Sequence, residues 1–407
     1  MNFNIYLPVW LLAVGATSPA MALNQDITAV FRPDPTQVQN NKFVNTTPVS
    51  GYCATYPNQC VGTFSIRLPL TFESVRPMTP NAEPRNNAMI SVPAQWRSLV
   101  VTHAQNGETE QVEIRIAGIG SQYWLSDTAQ NLTGASNALG GHWALWNSTW
   151  VYSPAPCGYS GVGAFTPSSY QFFWRTPVPG ACVKFAQFPI PTMGYAYLDF
   201  AYELRTPNPL GMAAGTYSGN LTYRVGPGGD FDMGDMLLPS DSEISLSFVL
   251  EVDHILKVEV PPGGYQVELV PQGGWQGWLQ QGRKPSRLFK DQTFNLYASS
   301  RFKMQLECER VIGDTCALRN TANGHEVPVD IRVSLPHGLN NPDGSAVNRQ
   351  ALLLSGAGTQ LFQPVMYVDR KPGTLHFEVK QDAVAEMLDQ AAGTYSGAVT
   401  VIWDSEV

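Results

Sequence analysis

Apolar and polar positions alternate with a period of two along most of the chain. Phe64, Ile66, Leu68 and Leu70 share one side of "TFSIRLPL", Leu99 and Val101 one side of "SLVVT", and Val112, Ile114 and Ile116 one side of "QVEIRIAG". Successive side chains of a strand point to opposite faces, so this spacing predicts strands with one buried face. Turn formers in "NGE", "GIGS" and "VGPGGD" separate them. The second half alternates in the same way at Val258 and Val260, Val267 and Leu269, Phe294 and Leu296, Phe302 to Cys308, Val329 to Leu335, and Leu375 to Val379. One stretch departs: "QDAVAEMLDQ", Gln381 to Gln390, sets Val384, Met387 and Leu388 at i, i+3, i+4 and predicts a helical link between strands. The pattern as a whole predicts an all-β chain of two β-sandwich domains. Two alternating runs, "EISLSFVLEV" and "ILKVEVPPGG", meet at Asp253-His254 with no flexible linker, so the boundary is set there and a stiff pair is expected.

One phrase occurs twice. "AAGTYSG" runs from Ala213 to Gly219 and again from Ala391 to Gly397, a spacing of 178 residues. Each copy continues as a strand in matching register, with Tyr217, Leu221, Tyr223 and Val225 on one face in the first, and Tyr395, Val399, Val401 and Trp403 in the second. The first copy is followed by a further alternating strand, Ile244, Leu246, Phe248, Leu250; after the second the sequence stops at Val407. The expectation is a closed first sandwich and a second one lacking its last strand. Such a sandwich leaves unpaired backbone groups beside an apolar groove, which another segment or a second protein must cover.

Composition narrows the setting. Residues 1–22 carry an apolar run from Ile5 to Val14 and end in Ala20-Met21-Ala22, the pattern of a cleavable secretory signal. Six cysteines in an exported chain favour disulfides, and about 15 connectivities are open. Proximity groups Cys53 with Cys60, Cys157 with Cys182, and Cys308 with Cys316, and the grouping rests on proximity alone. No CxxC or Cys/His cluster points to a metal. A net charge of −8 disfavours nucleic acid as a partner, because phosphate binding needs a concentrated cationic surface.

No catalytic constellation is legible, and no cofactor is expected. The six histidines, His103, His142, His254, His325, His337 and His376, are scattered singly, with no HExxH and no GxSxG. Asp230, Asp232 and Asp235 in "DFDMGD" lack the spacing of a calcium loop and read as a solvated turn. The candidate receptor-binding residues are Trp143, Trp146, Trp150 and Tyr152 in "GGHWALWNSTWVYSP", since aromatic faces hold sugar rings and apolar patches. Trp150 and Tyr152 would share a strand face, which leaves a core role open. Arg67, Arg115 and Arg175 are candidates for bidentate contact to acidic glycans, or are ordinary surface charges. Trp275 and Trp278 in "GGWQGWLQQGRKP" are read as packing.

The signal, the two β domains and the terminal "AAGTYSGAVTVIWDSEV" resemble the two-domain tip adhesins of bacterial chaperone-usher pili. The resemblance implies an adhesin domain at 23–252 and an incomplete immunoglobulin-like pilin domain at 253–407. Tyr395, Val399, Val401 and Trp403 would then line or flank a donor-strand groove. The implied partners are a periplasmic chaperone, an outer-membrane usher, an adjacent pilin subunit and a surface receptor, and the implied location is the fimbrial tip. Tip subunits lack a free donor extension, and Pro33 and Pro35 in "LNQDITAVFRPDPTQVQNN" agree, because proline cannot donate to a ladder. The short Cys308–Cys316 loop departs from the wide disulfide of several pilin classes. Two rival functions are an adaptor or shaft subunit without a receptor, and a secreted carbohydrate-active β-sandwich enzyme.

Overall fold

The computed structural model describes residues 23–405, apart from 160 and 162; the expected signal at 1–22 lies outside them. Two separate apolar cores organise the chain. The first draws its buried members from Ile27 through Val252 and the second from Leu288 through Val384. The chain is all-β in two units, with short helices confined to connections.

The first unit is built on one long strand, Thr109–Leu125. Arg97–His103 and then Ser169–Arg175 pair along one of its edges; Leu198–Arg205 and then Met193–Tyr195 pair along the other. Its residues Val112, Ile114 and Ile116 are fully buried, as the alternation predicts, and a register shift beyond Ile116 brings Tyr123 to the same buried side. On the opposite face, Gly118 and Gly120 leave a shallow trench. A Cβ at Gly120 would lie 2.6 Å from the Phe173 ring, so glycine lets that ring lie flat on the sheet, where Tyr52 stacks on it at 5.2 Å. The Cys53–Cys60 disulfide holds the loop that carries Tyr52 in place.

The last strand of this unit, Glu243–Val252, is not an edge. Gly215–Arg224 pairs antiparallel on one side over ten residues, and Leu23–Phe31 pairs parallel on the other. Pro33 and Pro35 follow that terminal strand, whose own bonds are spent inside the unit.

In the second unit one sheet runs Leu256–Glu259, Leu288–Ala298, Val368–Val379, Glu326–Ser334, Thr315–Asn320 and Val311–Ile312. Against it packs a two-stranded layer of Lys303–Cys308 and Val399–Asp404. The predicted helix forms at Gln381–Leu388 and buries Ala383 and Val384. Val267 and Leu269, expected in a strand, lie in irregular chain with one bridge from Val270 to Phe289. The glycines and prolines around them, in "VPPGGYQVELVPQGG", interrupt the ladder. The disulfides Cys157–Cys182 and Cys308–Cys316 also join the neighbours in sequence.

His254 sits where the two units meet. Ile255 N–H donates to Ser299 Oγ at 2.9 Å, so the Ser299 hydroxyl proton is free to reach His254 Nδ1 at 3.1 Å. The other ring nitrogen, Nε2, donates to the Met212 carbonyl at 3.0 Å. Acceptance at Nδ1 requires the neutral ring, and burial, with Arg301 nearby, holds its pKa below the ordinary histidine value although the Met212 carbonyl and Asp253 oppose this. A depressed folded pKa means that the unfolded chain binds the proton first. The His254 contribution is therefore complete above the ordinary range and is lost as pH falls through the lowered folded value. Thermal unfolding between pH 7.5 and 5 should accordingly show a steeper loss of stability in the native chain than in His254→Gln; equal slopes would count against this role.

Candidate interaction cleft and aromatic surface

The two "AAGTYSG" copies fold onto equivalent Asn-Gly hairpins. Tyr217 pairs with His103 and Ser218 with Thr102; 178 residues later Tyr395 pairs with Asn320 and Ser396 with Arg319. Ala104 N–H donates to the Thr216 carbonyl and Thr321 N–H to the Thr394 carbonyl, both at 2.9 Å. The tyrosine hydroxyls find counterpart residues as well, Tyr217 donating to the Glu108 carboxylate at 3.1 Å and Tyr395 bonding His325 Nδ1 at 3.0 Å. The seventh residue is glycine in both because a backbone carbonyl approaches closely. A Cβ there would stand 2.4 Å from Val100 O in the first copy and 2.7 Å from Ala317 O in the second.

The copies differ on their other edge. In the first, Glu243–Val252 closes the sheet, and Tyr217, Leu221 and Tyr223 are buried. In the second, one edge of Val399–Asp404 is bonded to Lys303–Cys308, and among the described residues no strand pairs with the other. The corresponding Tyr395, Val399, Val401 and Trp403 are only half-buried. They line an apolar cleft of about 920 Å³, with the segment from Val258 to Leu269 along its other side and Phe294, Leu375 and Phe377 among its walls. Trp403 meets the Phe294 ring edge-on at 5.0 Å. Tyr265 is 85 % exposed on the cleft's flank, and Trp275 also lines it rather than packing wholly within the unit.

The aromatic segment divides by burial. "ALGGHWALW" forms the helix Ala138–Trp146, capped by the Asn137 side chain accepting from Gly140 N–H at 2.8 Å. Trp146 is buried, and its Nε1–H donates to Tyr123 at 3.2 Å, whereas Trp143, one turn from exposed Leu139, is 51 % exposed. Trp150 and Tyr152 do not share a strand face: both lie in turns, because Asn147 takes a left-handed φ of 54° and ends the helix. Trp150 is 0 % exposed among Tyr123, Phe172 and Trp174, while Tyr152 is 54 % exposed.

Tyr152 comes together with Tyr159, whereas Arg175 belongs to the strand face opposite that of Trp174 and Tyr159. Tyr152 meets exposed Tyr159 edge-on at 5.8 Å; Tyr159 and Gly158 pair across from Trp174 and Arg175. Arg175 Nη2 donates to the Val61 carbonyl at 3.0 Å, beside the Cys53–Cys60 loop. Arg67 lies on the far side of that loop. Its guanidinium grips buried Asp199 through two bonds of 2.7 and 2.8 Å and lies 3.4 Å over the Tyr197 ring. Burial pushes the Asp199 carboxyl up, against the pull of Arg67 and of Tyr52 N–H. Arg67 is thus largely committed to the fold. Arg115 pairs with Glu203 at 2.7 Å.

Asp232 and Asp235 are both bound by Arg85 at 2.8 Å, and Asp230 faces Arg97 at 3.4 Å. One constellation escaped sequence reading because its members are far apart in the chain. Across three neighbouring strands, Ser334 Oγ meets His376 Nε2 at 2.9 Å and His376 Nδ1 meets Asp291 at 2.7 Å. Arg349 N–H donates to the same hydroxyl at 3.0 Å and has a left-handed φ of 47°. That donor binds Ser334 itself rather than pointing to where an oxyanion would form, so the network pins a turn.

No family model matches the sequence, and no curated protein matches it. Among solved structures the chain is similar to tip adhesins of chaperone-usher fimbriae. One is a chaperone–tip adhesin complex of CFA/I fimbriae biogenesis, at 12% identity over 95% of this chain and 97% of that one, with a TM-score of 0.25. A second is CfaE, the adhesive subunit of the CFA/I fimbria of enterotoxigenic Escherichia coli, at 11% identity over 94% and 92%, TM-score 0.25. A third is the CsuC–CsuE chaperone–tip subunit complex of the archaic Csu pili of Acinetobacter baumannii, at 12% identity over 94% and 98%, TM-score 0.21.

Proposed function

We propose that this protein is a non-enzymatic fimbrial tip adhesin that binds a surface receptor through residues 23–252 and is assembled through residues 253–407 by donor-strand complementation. The observation that carries the reading is the contrast between the two copies: the same strand is buried where a closing strand lies beside it and half-buried along a cleft where, among the described residues, none does. In this reading a periplasmic chaperone fills the cleft first. The strand of an adjacent pilin subunit replaces it at an outer-membrane usher, which carries the adhesin to the cell surface. The parallel pairing of Leu23–Phe31 with Glu243–Val252 supports a terminal position, since that segment is not free to be donated.

For the receptor we favour the surface of the exposed pair Tyr152 and Tyr159, with Trp143 as a separate exposed aromatic. Two exposed aromatic rings meeting edge-on suit a glycan ring. Glycan-array binding by Tyr152→Ala and Tyr159→Ala should fall about tenfold or more, the range of an interface anchor, with the unfolding midpoint unchanged. Unaltered binding would remove this surface from the reading, and failure to co-purify with any co-expressed pilus chaperone would remove the assembly role.

A further inference from the structure

The cleft carries more information than its presence. If it accepts a strand, as proposed above, the first unit displays what that strand looks like, because the two copies agree beyond the repeated phrase. The same ladder pairs, the same hairpin bonds and the same close glycine approach recur at a spacing of 178 residues. The hairpins themselves match in sequence only as Asn106-Gly107 and Asn323-Gly324. In each, the glycine N–H donates back to the residue opposite the tyrosine, Gly107 to His103 and Gly324 to Asn320.

In the first unit the closing strand runs antiparallel to its neighbour, with Leu250 opposite Tyr217, Phe248 opposite Gly219, Leu246 opposite Leu221 and Ile244 opposite Tyr223. All four are buried, and Phe248 stands opposite the one inward position that has no side chain. A large ring faces the gap that the obligatory glycine leaves. The counterparts of these four positions in the cleft are Tyr395, Gly397, Val399 and Val401, and Gly397 with Leu318 and Met387 lines one end of it.

We infer that the cleft takes an extended segment running antiparallel to Val399–Asp404, with apolar side chains opposite Tyr395, Val399 and Val401 and a large, phenylalanine-sized one opposite Gly397. The first unit's own Glu243–Val252 sequence has that pattern and is the surrogate ligand. Outward residues fix the register: Ser218 faces Val249 and Thr222 faces Ser245 in the first unit, so Ser396 and Thr400 should face the same two peptide positions.

The test refolds the full chain, carrying Ser396→Cys or Thr400→Cys, with a synthetic peptide EISLSFVLEV bearing one cysteine. Directly opposed residues in a ladder are within disulfide reach. The expected disulfides join Ser396→Cys to the peptide position of Val249, and Thr400→Cys to that of Ser245. The swapped pairs forming instead would overturn the direction, and a shift of both by one or more residues would overturn the register. Replacing the peptide phenylalanine by glycine should weaken binding about 100-fold or more; equal binding would overturn the demand for a large side chain opposite Gly397. Absence of cross-linking in every combination, with no gain in protease resistance from the peptide, would sink the strand-accepting reading itself.

Discussion

Expressed alone, residues 253–407 are expected to aggregate, and to be recovered as a soluble monomer when a complementing strand or a pilus chaperone is co-expressed. The magnitudes make this a large effect. A closing strand such as Glu243–Val252 buries five inward side chains, each contributing about 1.5–3 kcal/mol, so its absence removes on the order of 10 kcal/mol. Whole domains are stable by only about 5–15 kcal/mol. The exposed ladder edge of Val399–Asp404 would also be free to pair between molecules. A soluble, cooperatively folded fragment indifferent to either partner would contradict the account.

The second large effect separates the aromatic residues. Trp150→Ala should lower the stability of the first unit by about 3–5 kcal/mol, the range for a buried aromatic. Trp150 stacks on Trp174 at 5.1 Å, lies 4.6 Å from Phe172, and offers its carbonyl to the Trp174 Nε1–H at 2.8 Å. Trp143→Ala, on an exposed helix face, should change stability by about 0.5 kcal/mol or less. Denaturant unfolding of the two variants checks both, and similar losses would mean that Trp143 is packed more closely than its exposure indicates.

Alternation was enough to find the strands around Leu99, Val112, Phe294 and Val329, because one face of each is buried and the side-chain period is two. The Gln381–Leu388 helix was legible for the corresponding reason, its apolar spacing. Burial in turns has no such period, so Trp150 and Tyr152, two residues apart, could not be told apart until the chain's path through Asn147 was known. Long-range pairing was equally hidden: nothing in "LNQDITAVF" specifies a parallel partner at Glu243–Val252. The open edge was legible only by comparing the residues C-terminal to each "AAGTYSG" copy. The extent of the copies' equivalence was not, since the hairpins that receive them share little beyond an Asn-Gly turn. The meeting of Tyr152 with Tyr159 depends on the turn between them, and the Ser334, His376 and Asp291 contact depends on strand register.

Amide hydrogen exchange along Val399–Asp404 tests the central claim most directly. Amides on the edge away from Lys303–Cys308 should exchange rapidly in the isolated protein and slow by about 100-fold or more when a complementing strand is bound. Strong protection of that edge in the isolated protein, unchanged by any added strand, would contradict the claim that the cleft awaits one.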